Sequence, residues 1–397
     1  MAGIDYVELN TLKDFYALMA ASREVRARAV AAVLAGESID PDIPASLANV
    51  LASLEGVPEE GGRKRLALDR GRTIGLDMGY EIDETRKDLF YLEEGEETFL
   101  EMLSDYHPGF DEFVAGGREL LGGADLRCLV TDRDGTVNNY CARYLTSIQS
   151  VYNAVFLSRF ARKVESPVIL TSAPLDGLVA ISVNPEGAFH YAASKGRECL
   201  DRAGRLRRLA IPPEKQAAMD RLNEELARLT ERPEYEKFTL IGSGLQFKFG
   251  QSTVARQDIN TSIDPAESES FLAVLESLVA GLDPDARNFR MEDTGLDVEI
   301  ILTVEADGEG LKDFDKGDGV KFLDDELGLN LAGGACLVCG DTGSDVPMLE
   351  AALTRSPDAR AIFVTRNNDL RERVAGLTGS ALVVPEPDML VTILGTL

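Results

Sequence analysis

Two acidic residues, one residue apart, follow a short apolar run in the middle of the chain. The run from Cys128 to Thr131 leads into Asp132 and Asp134, and Gly135 comes next. A short apolar run bounded by a turn signal predicts a buried strand, so both carboxylates are expected at its carboxyl end. Carboxylates in that position can serve as a nucleophile and as a general acid and base.

Further polar positions supply the other groups that phosphoryl transfer requires, which are a cation and fixed donors for the phosphate oxygens. Asp132 is predicted to attack phosphorus, and Asp134 to protonate the leaving oxygen and later activate water. Thr171 follows the apolar run that ends at Leu170, and its hydroxyl, or that of Ser172, is the expected phosphate donor. Lys316 is predicted to offset charge on the nucleophile and the phosphoryl group.

A second acidic segment completes a candidate metal site. Asp341 follows the apolar run from Ala335 to Cys339, and Asp345 lies four residues further on. Mg²⁺ prefers oxygen ligands in octahedral geometry. The predicted ligands are therefore the carboxylates of Asp132, Asp341 and Asp345, together with the main-chain carbonyl of Asp134.

The elements that would position these groups begin at residue 125, where apolar strands start to alternate with helical segments. That alternation predicts an α/β fold with a parallel sheet covered on both faces. In such sheets ligands bind beyond the carboxyl ends of the strands, so one site can collect several of these residues. The predicted strands are 126–131, 167–170, 335–339, 361–364 and 381–384.

The segments on either side of the first half of this sheet have other patterns. Residues 9–124 repeat apolar residues at helical spacing and predict a mostly helical accessory domain. Residues 212–308 predict an α+β unit, with helices at 214–229 and 266–282 and strands at 238–240, 245–249 and 298–304. The predicted domains are 1–124, an interrupted core of 125–211 and 309–397, and an inserted unit of 212–308.

Composition limits the partners of the chain. It has 397 residues with 68 acidic and 41 basic side chains, giving a net charge of −27. This charge disfavours nucleic acid and anionic membranes, and no apolar run reaches the roughly 20 residues of a membrane helix. Together with the lack of a signal-peptide pattern at the start, this predicts a cytoplasmic protein. Cys336 and Cys339 have the spacing of half a zinc or redox motif but are predicted to lie on a buried strand.

A basic cluster stands out in this acidic chain. Its predicted role is a solvated surface, with binding of a phosphate or a protein partner as the alternative. The N-terminal helices are also a candidate surface for homo-oligomerisation. The members of the cluster are Arg63, Lys64, Arg65, Arg70 and Arg72.

The four catalytic segments together resemble the motifs of the haloacid dehalogenase-like phosphatases. The long interval between Thr171 and Lys316 is similar to that of the subgroup in which a cap domain is inserted into a Rossmann-like core. Within that subgroup the segments 189–208 and 246–256 are similar to those of trehalose-6-phosphate phosphatases. The resemblance implies a small phosphorylated sugar as substrate, with contacts from Lys195, Gly196, Lys248 and Arg256.

The chain departs from that family mainly on the substrate side. Where the family has His-Gly-Ala-Glu, this chain has Lys195-Gly196-Arg197-Glu198, and Gln246 stands where the family has Glu. We therefore expect a Mg²⁺-dependent phosphatase that acts on a phosphorylated sugar or glycoside through an aspartyl-phosphate. The alternatives are a sugar phosphomutase with the same acids and a noncatalytic sugar-phosphate sensor. Arg133, between the two motif acids, is expected to point away from both of them.

Overall fold

The N-terminal part is a helical bundle that also contains a small sheet. The computed structural model describes residues 3–69, 71–303 and 314–397. The first helix starts with a capping box formed by Thr11 and Asp14 and ends at Gly36, which has φ +68°. The elements are α1 (Leu12–Ala35), α2 (Asp42–Glu55), β1 (Glu59–Glu60), β2 (Arg63–Asp69), β3 (Arg72–Leu76), α3 (Gly79–Tyr106) and α4 (Phe110–Leu121).

The three short strands correct the prediction of a mostly helical segment at 59–76. Leu66 pairs with Ile74 in an antiparallel hairpin, and both are buried. Apolar residues at every second position bury one face of such a hairpin. The charged residues between them made this two-residue repeat hard to recognise in the sequence. The described members of the basic cluster bond to groups of this chain, for example Arg65 to Glu60 at 3.3 Å and Arg72 to Glu267 at 3.1 Å. Arg70 lies outside the described residues.

The first half of the catalytic core follows the bundle. Its first three strands are parallel neighbours, and the last two pair antiparallel at the edge of the sheet. Ser194–Gly196 forms a 3₁₀ turn between the third and fourth of these strands. The elements are β4 (Leu126–Thr131), α5 (Val151–Ala161), β5 (Ser166–Leu170), α6 (Leu175–Ile181), β6 (His190–Ala193), β7 (Glu198–Leu200) and β8 (Leu206–Arg208).

The inserted unit is an antiparallel sheet of four strands with two helices. The strand predicted at 238–240 is wrong, because Glu236–Thr239 forms a 3₁₀ turn that stacks the Phe238 ring on Phe271 at 3.8 Å between centroids. The predicted strand 298–304 lies inside this sheet, and Val304 is outside the described residues. The elements are α7 (Pro213–Thr230), β9 (Leu245–Lys248), β10 (Gln251–Ala255), α8 (Pro265–Leu282), β11 (Phe289–Asp293) and β12 (Asp297–Leu302).

The second half of the core completes the central sheet, which has eight strands. The order is β8, β7, β6, β5, β4 and then three strands from this half, and all pairs from β6 onward in that order are parallel. The fold class predicted from the sequence is thus confirmed, and the three strands of this half lie beyond β4 in the order in which they occur in the chain. The elements are α9 (Lys316–Leu327), β13 (Ala335–Gly340), α10 (Val346–Arg355), β14 (Arg360–Val364), α11 (Asn368–Leu377), β15 (Ala381–Val384) and α12 (Pro387–Thr396).

The cysteines are part of the core packing. All five are free and buried, and Cys128 of β4 is the register partner of Cys336 of β13. This confirms the prediction that Cys336 and Cys339 lie on a buried strand. Among residues 3–69, 71–303 and 314–397, no helix combines the length and apolar character needed to cross a bilayer.

The bundle contacts both the core and the inserted unit. Asp88 of α3 accepts a hydrogen bond of 2.6 Å from the backbone N–H of Val151 at the start of α5. On the other side, the Tyr16 hydroxyl donates to the carbonyl of Leu240 at 3.0 Å. The bundle is therefore packed into the molecule rather than attached by a linker alone.

Candidate active site

Three carboxylates converge at the carboxyl ends of two neighbouring strands. Asp132 follows β4, Asp341 follows β13, and Asp345 immediately precedes α10. One oxygen from each carboxylate lies within 4.8 Å of the others. The parallel pairing of β4 with β13 brings together residues that are more than 200 positions apart in the sequence.

Lys316 lies among these acids. Its Nζ donates hydrogen bonds of 2.6 Å to Asp132 Oδ1 and of 2.6 Å to Asp345 Oδ1. Burial lowers the pKa of Lys316, but the two carboxylates more than compensate, and the net shift is upward. The ammonium therefore stays charged at neutral pH. Asp315 fixes the helix start with a capping box, which places this lysine at the first position of α9.

Asp345 holds the loop that follows β13. Its Oδ2 accepts hydrogen bonds from the backbone N–H groups of Asp341 at 3.1 Å and Thr342 at 2.9 Å, and from the Thr342 hydroxyl at 2.9 Å. Burial acts to raise the pKa of Asp345, but Lys316 and these donors outweigh burial, and the net shift of the pKa is downward. The carboxylate is therefore held ionised. Both oxygens of Asp345 thus have partners inside the protein.

The other two carboxylates carry charge that the protein only partly neutralises. Burial raises the pKa of Asp132 to about 6 and that of Asp341 to about 8, and the neighbouring carboxylates add to both shifts. Thr136 donates to Asp341 Oδ1 at 3.0 Å and lies 3.5 Å from Asp132 Oδ2. Three carboxylates around one ammonium leave a net negative site of hard oxygen donors, which suits a divalent cation such as Mg²⁺.

Arg133 contacts one of its neighbouring acids, which corrects the expectation that it points away from both. Its guanidinium is buried and binds the Asp134 carboxylate, the Ser147 hydroxyl at 3.0 Å and the Ser147 carbonyl. The expectation assumed the side-chain alternation of a strand, but β4 ends at Thr131 and the chain turns at Gly135, where φ is +84°. Alternation no longer applies within that turn.

The predicted phosphate-binding hydroxyls lie at the next strand end. Thr171 follows β5 and is buried, and its carbonyl accepts a hydrogen bond of 2.9 Å from the backbone N–H of Lys195. Ser172 is half-buried beside it. A Cβ on Gly196 would lie 2.7 Å from the Cα of Gly319 in α9. The Lys195–Gly196 turn is therefore wedged between the end of β5 and the helix that carries Lys316.

The inserted unit reaches this turn through the β9–β10 hairpin. The Phe249 N–H donates to the Ser194 hydroxyl at 2.8 Å, and Arg197 donates to the Gly250 carbonyl at 3.1 Å. Burial and the positive charge of Lys195 lower the pKa of Lys248, and the carboxylates of Glu299 and Asp297 offset only part of this shift. The hydrogen bond from Phe249 to Ser194 thus joins the hairpin that carries Lys248 to the turn that carries Lys195.

Arg256 is not brought to this group. Its guanidinium binds both oxygens of Asp293, at 2.8 and 3.0 Å, and donates to Ser268 and Glu269 at 2.9 Å each. All of these partners belong to the inserted unit. The predicted substrate contact of Arg256 therefore finds no support in this geometry, and the side chain ties α8 to the sheet instead.

Comparison with known protein families follows the same division of the chain. A model of the C-terminal part of trehalose-6-phosphate phosphatase matches residues 129–390, and a model of that family's N-terminal helical bundle domain matches residues 11–107. The chain belongs to the trehalose-6-phosphate phosphatase family. The haloacid dehalogenase-like fold expected from the four motifs is that of this family member. The inserted unit is called the cap from here on.

Related proteins include both longer and shorter chains. The UDP-forming alpha,alpha-trehalose-phosphate synthase 1 of Aphelenchoides avenae is 33% identical over 93% of this chain but only 34% of its own length. The family member described here thus spans about a third of that relative. The trehalose-phosphatase of Brugia malayi is 32% identical over 74% of this chain and 61% of its own. A solved structure of a trehalose-6-phosphate phosphatase related protein is 14% identical, covers 67% of this chain and 95% of its own, and has a TM-score of 0.44.

Sequence reasoning missed several groups that this family member places between cap and core. A cavity of about 210 Å³ lies beside Asp134 and is bounded by residues from both units. None of these positions carries a local sequence signal, because they meet only when the cap lies over the core. They include Tyr140, Tyr144, Ser243, Gln257 and Asp297.

Proposed function

We propose that this chain is a Mg²⁺-dependent phosphatase that hydrolyses a phosphorylated sugar or glycoside through an aspartyl-phosphate intermediate. The observation that carries the proposal is the buried Lys316 ammonium, which bridges Asp132 and Asp345 at 2.6 Å each. Within residues 3–69, 71–303 and 314–397, the second oxygen of Asp132 accepts only a long hydrogen bond of 3.5 Å, from the Thr136 hydroxyl. That oxygen is the proposed nucleophilic atom.

The proposed chemistry has two steps. In the first, Asp132 attacks phosphorus and the bond to the sugar oxygen breaks, while Asp134 gives its proton to that leaving oxygen. In the second, Asp134 takes a proton from water, which attacks the same phosphorus and releases phosphate from Asp132. Lys316 stays charged throughout and offsets the negative charge of the phosphoryl group. We assign the phosphate oxygens to the Thr171 hydroxyl, with Ser172, Lys195 and Gly196 beside it.

The acidic cluster fits magnesium by its chemistry. Asp132 and Asp341 offer carboxylate oxygens, and we assign the main-chain carbonyl of Asp134 as a further ligand. Asp345 belongs to the same cluster, and because its oxygens already accept hydrogen bonds, we assign it chiefly to holding Lys316 and the loop. When bound, the cation would neutralise charge on the transferring phosphoryl group.

Trehalose 6-phosphate is the first substrate to consider. The family models and the Brugia malayi trehalose-phosphatase support it, whereas Lys195, Arg197 and Gln246 replace residues that are usual in the family. Altered hydrogen-bonding groups change discrimination between substrates steeply. We retain Lys248 as a substrate contact and propose that the cap closes over the sugar to exclude water.

The other predictions stay proposals. The domain boundaries are 1–124, 125–211 with 309–397, and 212–308, and the boundary at 308/309 falls outside the described residues. A cytoplasmic location, the lack of a nucleic-acid or membrane partner, and homo-oligomerisation through the N-terminal helices are likewise proposed.

The proposal is tested by Asp132→Asn, which keeps the size of the side chain but removes the nucleophilic charge. We expect phosphate release from trehalose 6-phosphate, sucrose 6-phosphate, glucosyl- and mannosyl-phosphoglycerates and hexose phosphates to fall below detection, with an unchanged circular dichroism spectrum. The exposed Asp358, changed to Asn, is the matched control and should keep full activity. Substantial hydrolysis by Asp132→Asn would remove this residue from the nucleophile role.

A further inference from the structure

The two faces of the cap sheet differ in character. Val254, Val298 and Ile300 point to one face, are fully buried and belong to the same apolar core as Leu222 of α7 and Leu275 of α8. The residues between them alternate to the opposite face. That second face is polar, so the sheet has one side for the cap helices and another that does not need them.

The polar face is built from rows of directly paired residues. Thr253 of β10 is the register partner of Gln246 in β9 and of Glu299 in β12, so these three side chains form one row across the sheet. Opposed residues in antiparallel strands share a face, with Cβ atoms roughly 4.5–5.5 Å apart. Lys248 and Asp297 belong to the two adjacent rows of the same face.

Both adjacent rows approach the catalytic core. On one side, the residue after Lys248, Phe249, donates its N–H to the Ser194 hydroxyl at 2.8 Å, beside the Lys195–Gly196 turn at the end of β5. On the other side, Asp297 lines the same cavity as Asp134. The row of Thr253 lies between these two contacts on the same sheet face.

Thr253 has an unusual environment for a hydroxyl group. The residue is only 2% exposed, and within residues 3–69, 71–303 and 314–397 its Oγ1 has no hydrogen-bond partner. A buried polar group without a partner is destabilising, and native proteins contain few of them. An apolar side chain would avoid this penalty if packing were the only requirement at this position.

We propose that Thr253 is a specificity-determining residue whose hydroxyl forms a hydrogen bond with a hydroxyl group of the sugar. Substrate would supply the hydrogen-bond partner that the described residues do not provide, next to the amide of Gln246 and the carboxylate of Glu299. This inference rests on the proposed phosphatase function. It adds a contact to the sugar part of the substrate and assigns Thr253 no role in breaking the bond to phosphorus.

The test compares Thr253→Val with Thr253→Ser. Valine keeps the branched shape and strand preference but removes the hydroxyl, whereas serine keeps the hydroxyl. We expect Thr253→Val to raise KM for trehalose 6-phosphate by about two- to tenfold, the equivalent of one neutral hydrogen bond, with little change in kcat. KM for phenyl phosphate, which has no sugar hydroxyls, should stay at the wild-type value, and Thr253→Ser should behave like wild type on both substrates.

Two results would overturn the inference. If Thr253→Val leaves KM for trehalose 6-phosphate unchanged, the hydroxyl does not contact the sugar. If it changes KM for both substrates equally, the effect is on the cap as a whole. The wild-type enzyme tests the proposed function separately, because failure to hydrolyse trehalose 6-phosphate and the wider sugar-phosphate panel would contradict that function before any variant is compared.

Discussion

At the scale of single residues, the balance of charge around Lys316 decides what the acidic cluster can do. The Lys316 ammonium donates to both Asp132 and Asp345. Among the residues that the structure describes, the Asp341 carboxylate accepts a side-chain hydrogen bond only from Thr136, and its pKa is raised to about 8. A carboxylate with a raised pKa gains most from a nearby cation, because the cation stabilises its charged form. Asp341 is therefore the carboxylate that most needs the proposed magnesium ion.

Asp341→Asn should weaken the dependence on magnesium more than it alters the fold. Removing one negative ligand lowers affinity for the cation, so the Mg²⁺ concentration for half-maximal phosphate release should rise by at least about tenfold. The measurement is a Mg²⁺ titration of activity for wild type, Asp341→Asn and the exposed control Asp358→Asn. An unchanged midpoint in Asp341→Asn would exclude this residue as a ligand.

At the scale of elements, the site depends on the close approach of a turn to a helix. The Lys195–Gly196 turn packs against the first turn of α9, and a Cβ on Gly319 would lie 2.1 Å from the carbonyl oxygen of Lys195. Such a distance cannot be accommodated without a shift of the backbone. Since Lys316 is three residues earlier in the same helix, the position of its ammonium is coupled to this contact.

Gly319→Ala should therefore reduce both activity and stability. We expect the start of α9 to move and kcat to fall by about tenfold or more, since small misplacement of catalytic groups is costly. The overpacked contact should lower the free energy of unfolding by roughly 1–3 kcal/mol. Urea denaturation and phosphate release measure the two effects.

Gly281→Ala is the matched control for this substitution. Gly281 is also inside a helix, α8 of the cap, but a Cβ there would meet no atom within 4 Å. Alanine should stabilise that helix by roughly 0.5–1 kcal/mol and leave kcat unchanged. If Gly319→Ala and Gly281→Ala lower kcat and the free energy of unfolding equally, the contact of α9 with the 195–196 turn does not control the position of Lys316.

At the scale of the whole molecule, a buried ion cluster joins the N-terminal bundle to the last helix. Asp388 of α12 accepts hydrogen bonds from Lys87 at 2.7 Å and from His107 at 2.8 Å, both in or beside α3, and binds the Tyr152 hydroxyl of α5. Burial alone would raise the pKa of Asp388, but Lys87 and these hydrogen bonds outweigh it and the pKa is lowered. The cluster therefore stabilises the ionised form of Asp388 in the folded protein.

This linkage predicts a defined dependence of stability on pH. Because the folded-state pKa of Asp388 is lower than that of the unfolded chain, its stabilising contribution is complete above roughly pH 4 and lost as the pH falls below that value. Asp388→Asn leaves Lys87 as an incompletely paired buried charge and should cost about 3–5 kcal/mol of unfolding free energy at pH 7. The difference in unfolding free energy between Asp388→Asn and wild type should become smaller below pH 4.

Urea unfolding at pH 7, 5 and 3 measures this prediction. Glu386→Gln is the control, since its partner Arg366 is largely exposed and such surface pairs contribute only about 0–1 kcal/mol. If Asp388→Asn lowers the free energy of unfolding by the same amount at all three pH values, the assigned role of the carboxylate charge is contradicted.

The sequence alone determined the class of the fold and grouped the residues that we propose as the catalytic set. Asp132, Asp341 and Thr171 each follow an apolar run, and parallel strands place their carboxyl ends along one edge of the sheet, so local patterns were sufficient to group them. The boundaries of β4, β5, β13, β14 and β15 followed from the same runs to within about one residue, whereas β6, β7 and β8 were not predicted. Local patterns failed where charged residues masked the hairpin at 63–76 and where the chain turned after β4, which directed Arg133 to Asp134.

Only the tertiary structure decided how the cap contributes to the site. Lys248 and Arg256 are eight residues apart and matched the same family segment. Lys248 lies in the hairpin that contacts Ser194 beside the Lys195–Gly196 turn, whereas Arg256 binds Asp293 and Glu269 within the cap. Thr253 carried no signal at all. These outcomes depend on strand register and on which sheet face the cap helices cover, and both are set by packing between residues far apart in the chain.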